Sequence, residues 1–118
     1  MTQVKVEEKE KHKIISLFGQ FMGSVEVDLL RQALTLHGDE KYLAVILDFK
    51  ELDYLNSSSL GALIAAYNNL KEFNVKLLIC NLNKNVQNLF DMTKVALVLD
   101  TFNSLEEAES MIFNNKNF

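Results

Sequence analysis

The sequence predicts an α/β fold, a single domain built on one mixed, mostly parallel sheet of about five strands with about four helices. Three observations carry that reading. From residue 42 onward, apolar runs of strand length alternate with stretches whose apolar residues recur every three or four positions, and such alternation calls for right-handed crossovers between parallel strands. The runs at 45–49 and 75–82 are nearly unbroken apolar sequence, as suits central strands covered on both faces. At the start of the chain, Val4 and Val6 alternate with polar residues, the pattern of a half-exposed strand at a sheet edge.

Composition bounds the function. With 118 residues, 48% of them hydrophobic, the chain can build one core, so a single domain over 1–118 is expected, its core at about 3–113. There is no proline, no low-complexity tract and no internal period, hence no sign of a linker or a repeat. Twelve Lys and Arg against sixteen Asp and Glu leave a net charge of −4. That balance argues against binding to nucleic acid or an anionic membrane, which needs clustered basic residues. The expected partners are proteins. No apolar run is long enough for a bilayer, and Met1-Thr2-Gln3-Val4-Lys5 lacks the layout of a secretion signal, so a cytoplasmic location is expected. Cys80 is the only cysteine. Following Leu77-Leu78-Ile79, it reads as a small apolar residue of a buried strand.

The elements follow in order. Glu7-Glu8-Lys9-Glu10-Lys11-His12-Lys13 reads as a hydrated loop, His12 included. Ile14-Ile15-Ser16-Leu17-Phe18 is a more buried strand ended by Gly19. A helix over about 25–36 places Leu30, Ala33, Leu34 and His37 on one face, has Glu26 and Asp28 in its first turn, and stops at Gly38. His37 is read as a partner of the helix dipole, because no second His, Cys or acid cluster lies at metal-ligand spacing. Strand 45–49 leads through a connection over 50–55 to a helix that closes near Asn74. Asn83 is placed to cap a helix carrying Val86, Leu89 and Phe90. A short strand is expected at 95–99. Ser104-Leu105-Glu106-Glu107 is a capping box opening a last helix that buries Leu105, Ala108, Met111 and Ile112, with 114–118 frayed.

The chain is organised around the change of period at Asn56-Ser57-Ser58-Ser59. Before it lies the strand; after it Leu60, Leu63, Ile64, Tyr67 and Leu70 fall on one helix face. A helix start leaves backbone donors unpaired, and an asparagine or serine oxygen caps them. The same start attracts anions, through its N–H groups and dipole. Capping is the plain role of these residues, and a phosphoserine would be well held there. Ala62, Ala65 and Ala66 form a small-residue strip on the helix, either an approach surface for another protein or merely good helix formers.

Asp48-Phe49, Leu52 and Tyr54-Leu55-Asn56-Ser57-Ser58-Ser59-Leu60-Gly61 resemble the signature of bacterial anti-sigma factor antagonists, the STAS domains. In that family an apolar strand ends in Asp, and a short connection leads to Asp-Ser-Ser or Asp-Ser-Thr and then Gly-Leu-Gly. Asn88-Leu89-Phe90-Asp91-Met92-Thr93 resembles the family's segment after the fourth strand. The likeness implies the same α/β architecture, with the loops after Phe18, Phe49 and Leu82 gathered around the serines. It also implies that the phosphorylated residue is Ser57, with Ser58 and Ser59 as lesser candidates, and that a partner docks on the helix from Ser57 onward; together with the alanine strip, the expected partner contacts are Asn56, Ser57, Ser58, Ser59, Gly61, Ala62 and Ala65. Three positions depart from the pattern: Asn56 replaces the acid before the serine, Ser59 replaces a glycine, and Met22 replaces the acid of a Gly-x-Leu-Asp loop whose glycine is Gly19.

The function implied by this resemblance is an anti-sigma factor antagonist. Unphosphorylated, it binds a kinase-like anti-sigma factor; phosphate on the serine, placed by the anti-sigma factor serine kinase and removed by a phosphatase, reverses the binding. The alternative is a constitutive STAS scaffold or subunit in a larger signalling or transport assembly. A serine hydrolase is disfavoured, since the Gly-x-Ser-x-Gly elbow is missing and no base is placed beside Ser57. No enzyme activity, cofactor or metal is expected; ATP would belong to the kinase, as this chain has no Gly-rich phosphate loop. A monomer or weak dimer is expected.

Overall fold

The computed structural model describes residues 3–35 and 42–114. Six strands form one mixed sheet: β1 (Gln3–Glu8), β2 (His12–Phe21), β3 (Ala44–Asp48), β4 (Leu52–Leu55), β5 (Lys76–Cys80) and β6 (Asp100–Phe102). Its order is β1-β2-β3-β5-β6, with β4 added beside β2. β1 and β2 are antiparallel, and every other pair is parallel. Four helices complete the domain: α1 (Ser24–Leu34), α2 (Ser57–Glu72), α3 (Lys84–Met92) and α4 (Leu105–Asn114). The predicted α/β class holds, with one strand more than expected.

The apolar strands are buried on both faces because each splits its residues between two cores. Ile15 and Leu17, Val45 and Leu47, and Leu77 and Ile79 join the larger core, beneath Val27, Leu30 and Leu34 of α1, Leu60, Leu63 and Leu70 of α2, and Val86 and Phe90 of α3. Their neighbours Ile14, Ala44, Ile46, Leu78 and Cys80 pack on the other face against Ala108 and Ile112 of α4. Alternation along a strand thus yields continuous hydrophobic sequence when both faces are covered. Of the last helix, Met111 remains 37% exposed, so only part of its expected inner face is buried.

β2 reaches the end of the sheet where α2 begins because it is ten residues long. Its first half pairs with β3, from His12 opposite Ala44 to Ser16 opposite Asp48. Its second half pairs with β4, Gln20 opposite Tyr54 and Phe21 opposite Leu55, after a register shift between Gly19 and Gln20. Gly19 makes that shift possible, with φ at 89°, a conformation that side chains resist, and its N–H donates to the Glu51 carbonyl at 3.1 Å. The strand expected to end at Gly19 therefore passes through it, and the connection expected at 50–55 contains β4.

Two further expectations are corrected. Residues 95–99 are not a strand: Val95–Leu97 is a single 3₁₀ turn, and the strand follows as β6. His12 is not in a solvated loop. It opens β2, is 2% exposed, and its Nε2 lies 2.8 Å from Glu109 Oε2 on α4, while Phe113 meets the ring edge-on at 5.6 Å. Lys13 is 7% exposed. The charged segment that does turn through solvent is 9–11. The expected roles of His37 and Gly38 lie outside the described residues; of the stretch expected to fray over 114–118, Asn114 closes α4 and the rest lies outside them.

The helix expected over 25–36 ends at Leu34, with Thr35 as its C-cap, whereas the terminator expected at Asn74 and the caps expected at Asn83 and Ser104 are seen in place. Asn74 takes φ 60°, and the Val75 N–H returns to the Leu70 carbonyl at 2.9 Å, closing α2 as left-handed caps do. Asn83 Oδ1 accepts from the Val86 N–H at 2.9 Å. Ser104 Oγ accepts from the Glu107 N–H at 3.0 Å, and Glu107 reaches back to the Asn103 N–H at 3.4 Å.

Candidate functional site

β4 delivers the chain to the start of α2 at the C-terminal end of the parallel strands, the end where ligands gather in open α/β sheets. Asn56 sits there as N-cap, in extended conformation. Its Oδ1 accepts from the Ser59 N–H at 3.0 Å, and its Nδ2 donates to the Met22 carbonyl at 2.8 Å. The backbone N–H of Asn56 also donates to the Phe21 carbonyl, at 3.3 Å. One residue thus caps the helix and ties it to the end of β2.

The three serines separate by environment. Ser57 and Ser58 are exposed. Ser59 is fully buried, and its hydroxyl donates to the Phe21 carbonyl. Ser59 is therefore removed from the accessible set, both as a modification site and as a partner contact. The first intrahelical bond runs from the Leu60 N–H to the Asn56 carbonyl, so the N–H groups of Ser57 and Ser58 open the helix ahead of it. The first turn carries no acid. Added negative charge would meet the positive end of the helix dipole there, unopposed by a carboxylate of the cap.

The small-residue strip divides in the same way. Ala62 is 4% exposed and belongs to the core where α2 meets α1, so it is corrected from a partner contact to a packing residue. Ala65 is exposed, beside Arg31 and Thr35 of α1 in a shallow groove. Gly61 is exposed, and a Cβ built there would meet nothing within 4 Å. Ser57, Ser58, Gly61 and Ala65 accordingly share one open face of α2.

Flanking this face are residues that sequence reasoning did not single out as contacts. Met22 is 48% and Val25 68% exposed, at the end of β2 and the start of α1. Val25 could have been noticed, since it falls outside the spacing of Val27, Leu30 and Leu34. Beyond β4 lies an open cleft of about 420 Å³, lined by Gln20, Asp53, Tyr54, Asn88, Leu89 and Met92 among others. The segment 88–93, on α3 after β5, thus contributes Asn88 and Met92 to the surface, whereas Phe90 packs edge-to-face on Phe49 at 6.5 Å. Asn83 stitches α3 to β4, its Nδ2 donating to the carbonyls of Leu52 and Asp53 at 2.9 and 3.0 Å. The loops after Phe49 and Leu82 are joined as expected, and the third member is the end of β2 at Phe21 and Met22 rather than the stretch after Phe18.

His12 opens β2 and is held by Glu109, whereas β4 leads into Ser57 from the opposite end of β2. Among the described residues no group of three or more His, Cys, Asp or Glu could hold a metal, and no helix is long and apolar enough to cross a membrane.

The chain belongs to the STAS domain family, whose model matches residues 3–108. No curated protein matches it. Among solved structures it resembles an anti-sigma factor antagonist from Mycobacterium paratuberculosis, with 19% identity, a TM-score of 0.80, and coverage of 97% of this chain and 96% of that one. The Bacillus cell-fate determinant SpoIIAA in its phosphorylated form aligns with 17% identity and a TM-score of 0.68, over 93% and 99% of the two chains. The murine Solute Carrier 26 family member A9 anion transporter aligns with 17% identity and a TM-score of 0.79, over 92% of this chain but 19% of the transporter. At these identities the likeness establishes the fold.

Proposed function

We propose that this protein is an anti-sigma factor antagonist that docks through the open face of α2 onto a kinase-like anti-sigma factor, and that phosphate on Ser57 releases it. One observation carries the reading: an exposed serine opens a capped helix at the ligand-gathering end of a STAS sheet. Phosphorylation adds about −1.5 to −2 charges. Set into a docked surface without a basic partner, that charge costs enough to break a complex. The protein itself would perform no chemistry, take no cofactor and work in the cytoplasm; the kinase would bring the ATP and a phosphatase would reset the switch.

A second reading, a constitutive STAS module within a larger assembly, is favoured by what two of the departures from the family pattern do: the side chains of Asn56 and Ser59 donate to the carbonyls of Met22 and Phe21 at the end of β2, where they anchor α2. Intact-mass measurement of the protein from its host under phosphatase inhibition, followed by fragmentation, separates the two. The switch predicts about 80 Da on Ser57, a single added phosphate. It also predicts that Ser57→Asp abolishes an anti-sigma factor interaction that Ser57→Ala retains. Absence of phosphate under every growth condition, with equal binding by both variants, would establish the constitutive module instead.

A further inference from the structure

We propose that β1 is a self-association edge, where a second copy of this chain adds its own β1, antiparallel, about a twofold axis through Val6. β1 ends the sheet, paired on one side with β2, and among the described residues no strand lies along its other side. It has no proline to block pairing, and every residue but Val4 is exposed. An open strand of this kind is a template for another chain.

The sequence of β1 selects both occupant and register. Val4 and Val6 lie opposite Leu17 and Ile15 of the larger core, and Lys5 and Glu7 point to the other face, opposite Ser16 and Ile14. When two identical antiparallel strands pair about a twofold axis, opposed residues share a face, so the axis must pass through a residue position. An axis at Lys5 sets lysine against lysine. At Glu7 it sets glutamate against glutamate, and both arrangements are repulsive. At Val4 too little strand overlaps. At Val6, valine meets valine, Glu8 of each copy lies opposite Val4 of the other, and Lys5 of each copy meets Glu7 of the other, giving two symmetry-related opposite-charge pairs that exchange with the Lys5–Glu7 contact at 3.8 Å within each copy.

Exposure on the helix side fits the same axis. Val6 is 44% exposed, an apolar side chain that α1 leaves uncovered at the edge. Leu29 of α1 is 38% exposed. It lies about 160° round the helix from Arg31, which lines the groove against α2, and so occupies the flank turned away from α2. Edge strands are often charged to prevent pairing, but protective charges repel a second copy, and these attract one in a single register.

The test is sedimentation velocity on the full chain across concentrations, with charge reversals. The wild type is expected to sediment as a concentration-dependent dimer. Lys5→Glu alone and Glu7→Lys alone should each weaken association by about tenfold, because two symmetric pairs turn repulsive at once. The double reversal should restore it. Hydrogen exchange of the wild type adds a readout independent of any variant: amides of residues 3–8 gain protection as concentration rises. A monomer at all concentrations, or a dimer indifferent to the reversals and without added protection in β1, would overturn the proposal. The outcome does not depend on the proposed phosphorylation switch, whose readout is the mass at Ser57.

Discussion

Asn56 and Ser59 are two departures from the family pattern with one physical consequence. A carboxylate at position 56 could still cap Ser59 but could not donate to Met22, and a glycine at 59 could not donate to Phe21. Both replacements add a donor aimed at consecutive carbonyls of the same turn. Asn56→Asp therefore isolates the added bond: Asp and Asn cap equally well, so the lost donation to Met22 should cost about 1 kcal/mol in urea unfolding. Ser59→Gly should cost about 1–2 kcal/mol, combining the lost bond with the helix penalty of glycine. Equal stability of Asn56→Asp and wild type would show that the Met22 bond contributes nothing.

Cys80 illustrates burial at the same scale. Desolvation first, and then the nearby charge of Asp48, push its thiol up to about 12. In the unfolded chain it titrates near its ordinary value of about 8.5. Above that value the unfolded chain has lost a proton that the folded chain retains, so stability falls as pH rises from about 9 towards 12. Cys80→Ala should remove that part of the alkaline slope, which paired unfolding curves between neutral and alkaline pH would show. The folded protein should also resist thiol alkylation at pH 8.

At the scale of elements, legibility follows how local the determining contacts are. The caps at Asn56, Asn83 and Ser104 bond within a turn of their own helix, and they are readable from the sequence. β4 is not, because only three of its positions pair with β2, across a register shift, and its buried residues Leu52 and Leu55 do not alternate. The 3₁₀ turn hides in an apolar run, although the four-residue separation of Val95 within it from Leu99 just after it, both buried, is helical. His12 lies within a charged run, and its partner Glu109 is 97 residues away. Helix faces are harder than helix existence: the alanine strip is one sequence feature with two environments. Ala62→Lys should unfold the domain or cost several kcal/mol, having placed an unpaired charge between α1 and α2. Ala65→Lys should stay within about 0.5 kcal/mol in stability while weakening any partner that docks on α2.

The whole molecule is lopsided, and its stability should be distributed accordingly. Three helices cover one face of the sheet, with a core that includes Phe21, Phe49 and Phe90. Among the described residues α4 alone covers the other face, sharing a smaller cluster of two alanines, three isoleucines, a leucine and a cysteine. Opening α4 exposes much less apolar surface than opening α2, and apolar burial is the main term opposing local unfolding. Besides that packing, α4 is held by the contact of Glu109 with His12, whose other ring nitrogen, Nδ1, is buried without a hydrogen-bond partner. Removing the carboxylate leaves that imidazole with neither ring nitrogen paired at a site from which water is largely excluded, at a cost of about 1–3 kcal/mol. Native-state hydrogen exchange should therefore find α4 opening at a lower free energy than β3, β5 and α2, which exchange together at the global limit. Glu109→Ala should lower the α4 value further while leaving protection at the start of α2 unchanged, because the serine face rests on the opposite core. Simultaneous loss of protection in α2 would mean that the two layers open as one unit, and that the docking face depends on α4 as well.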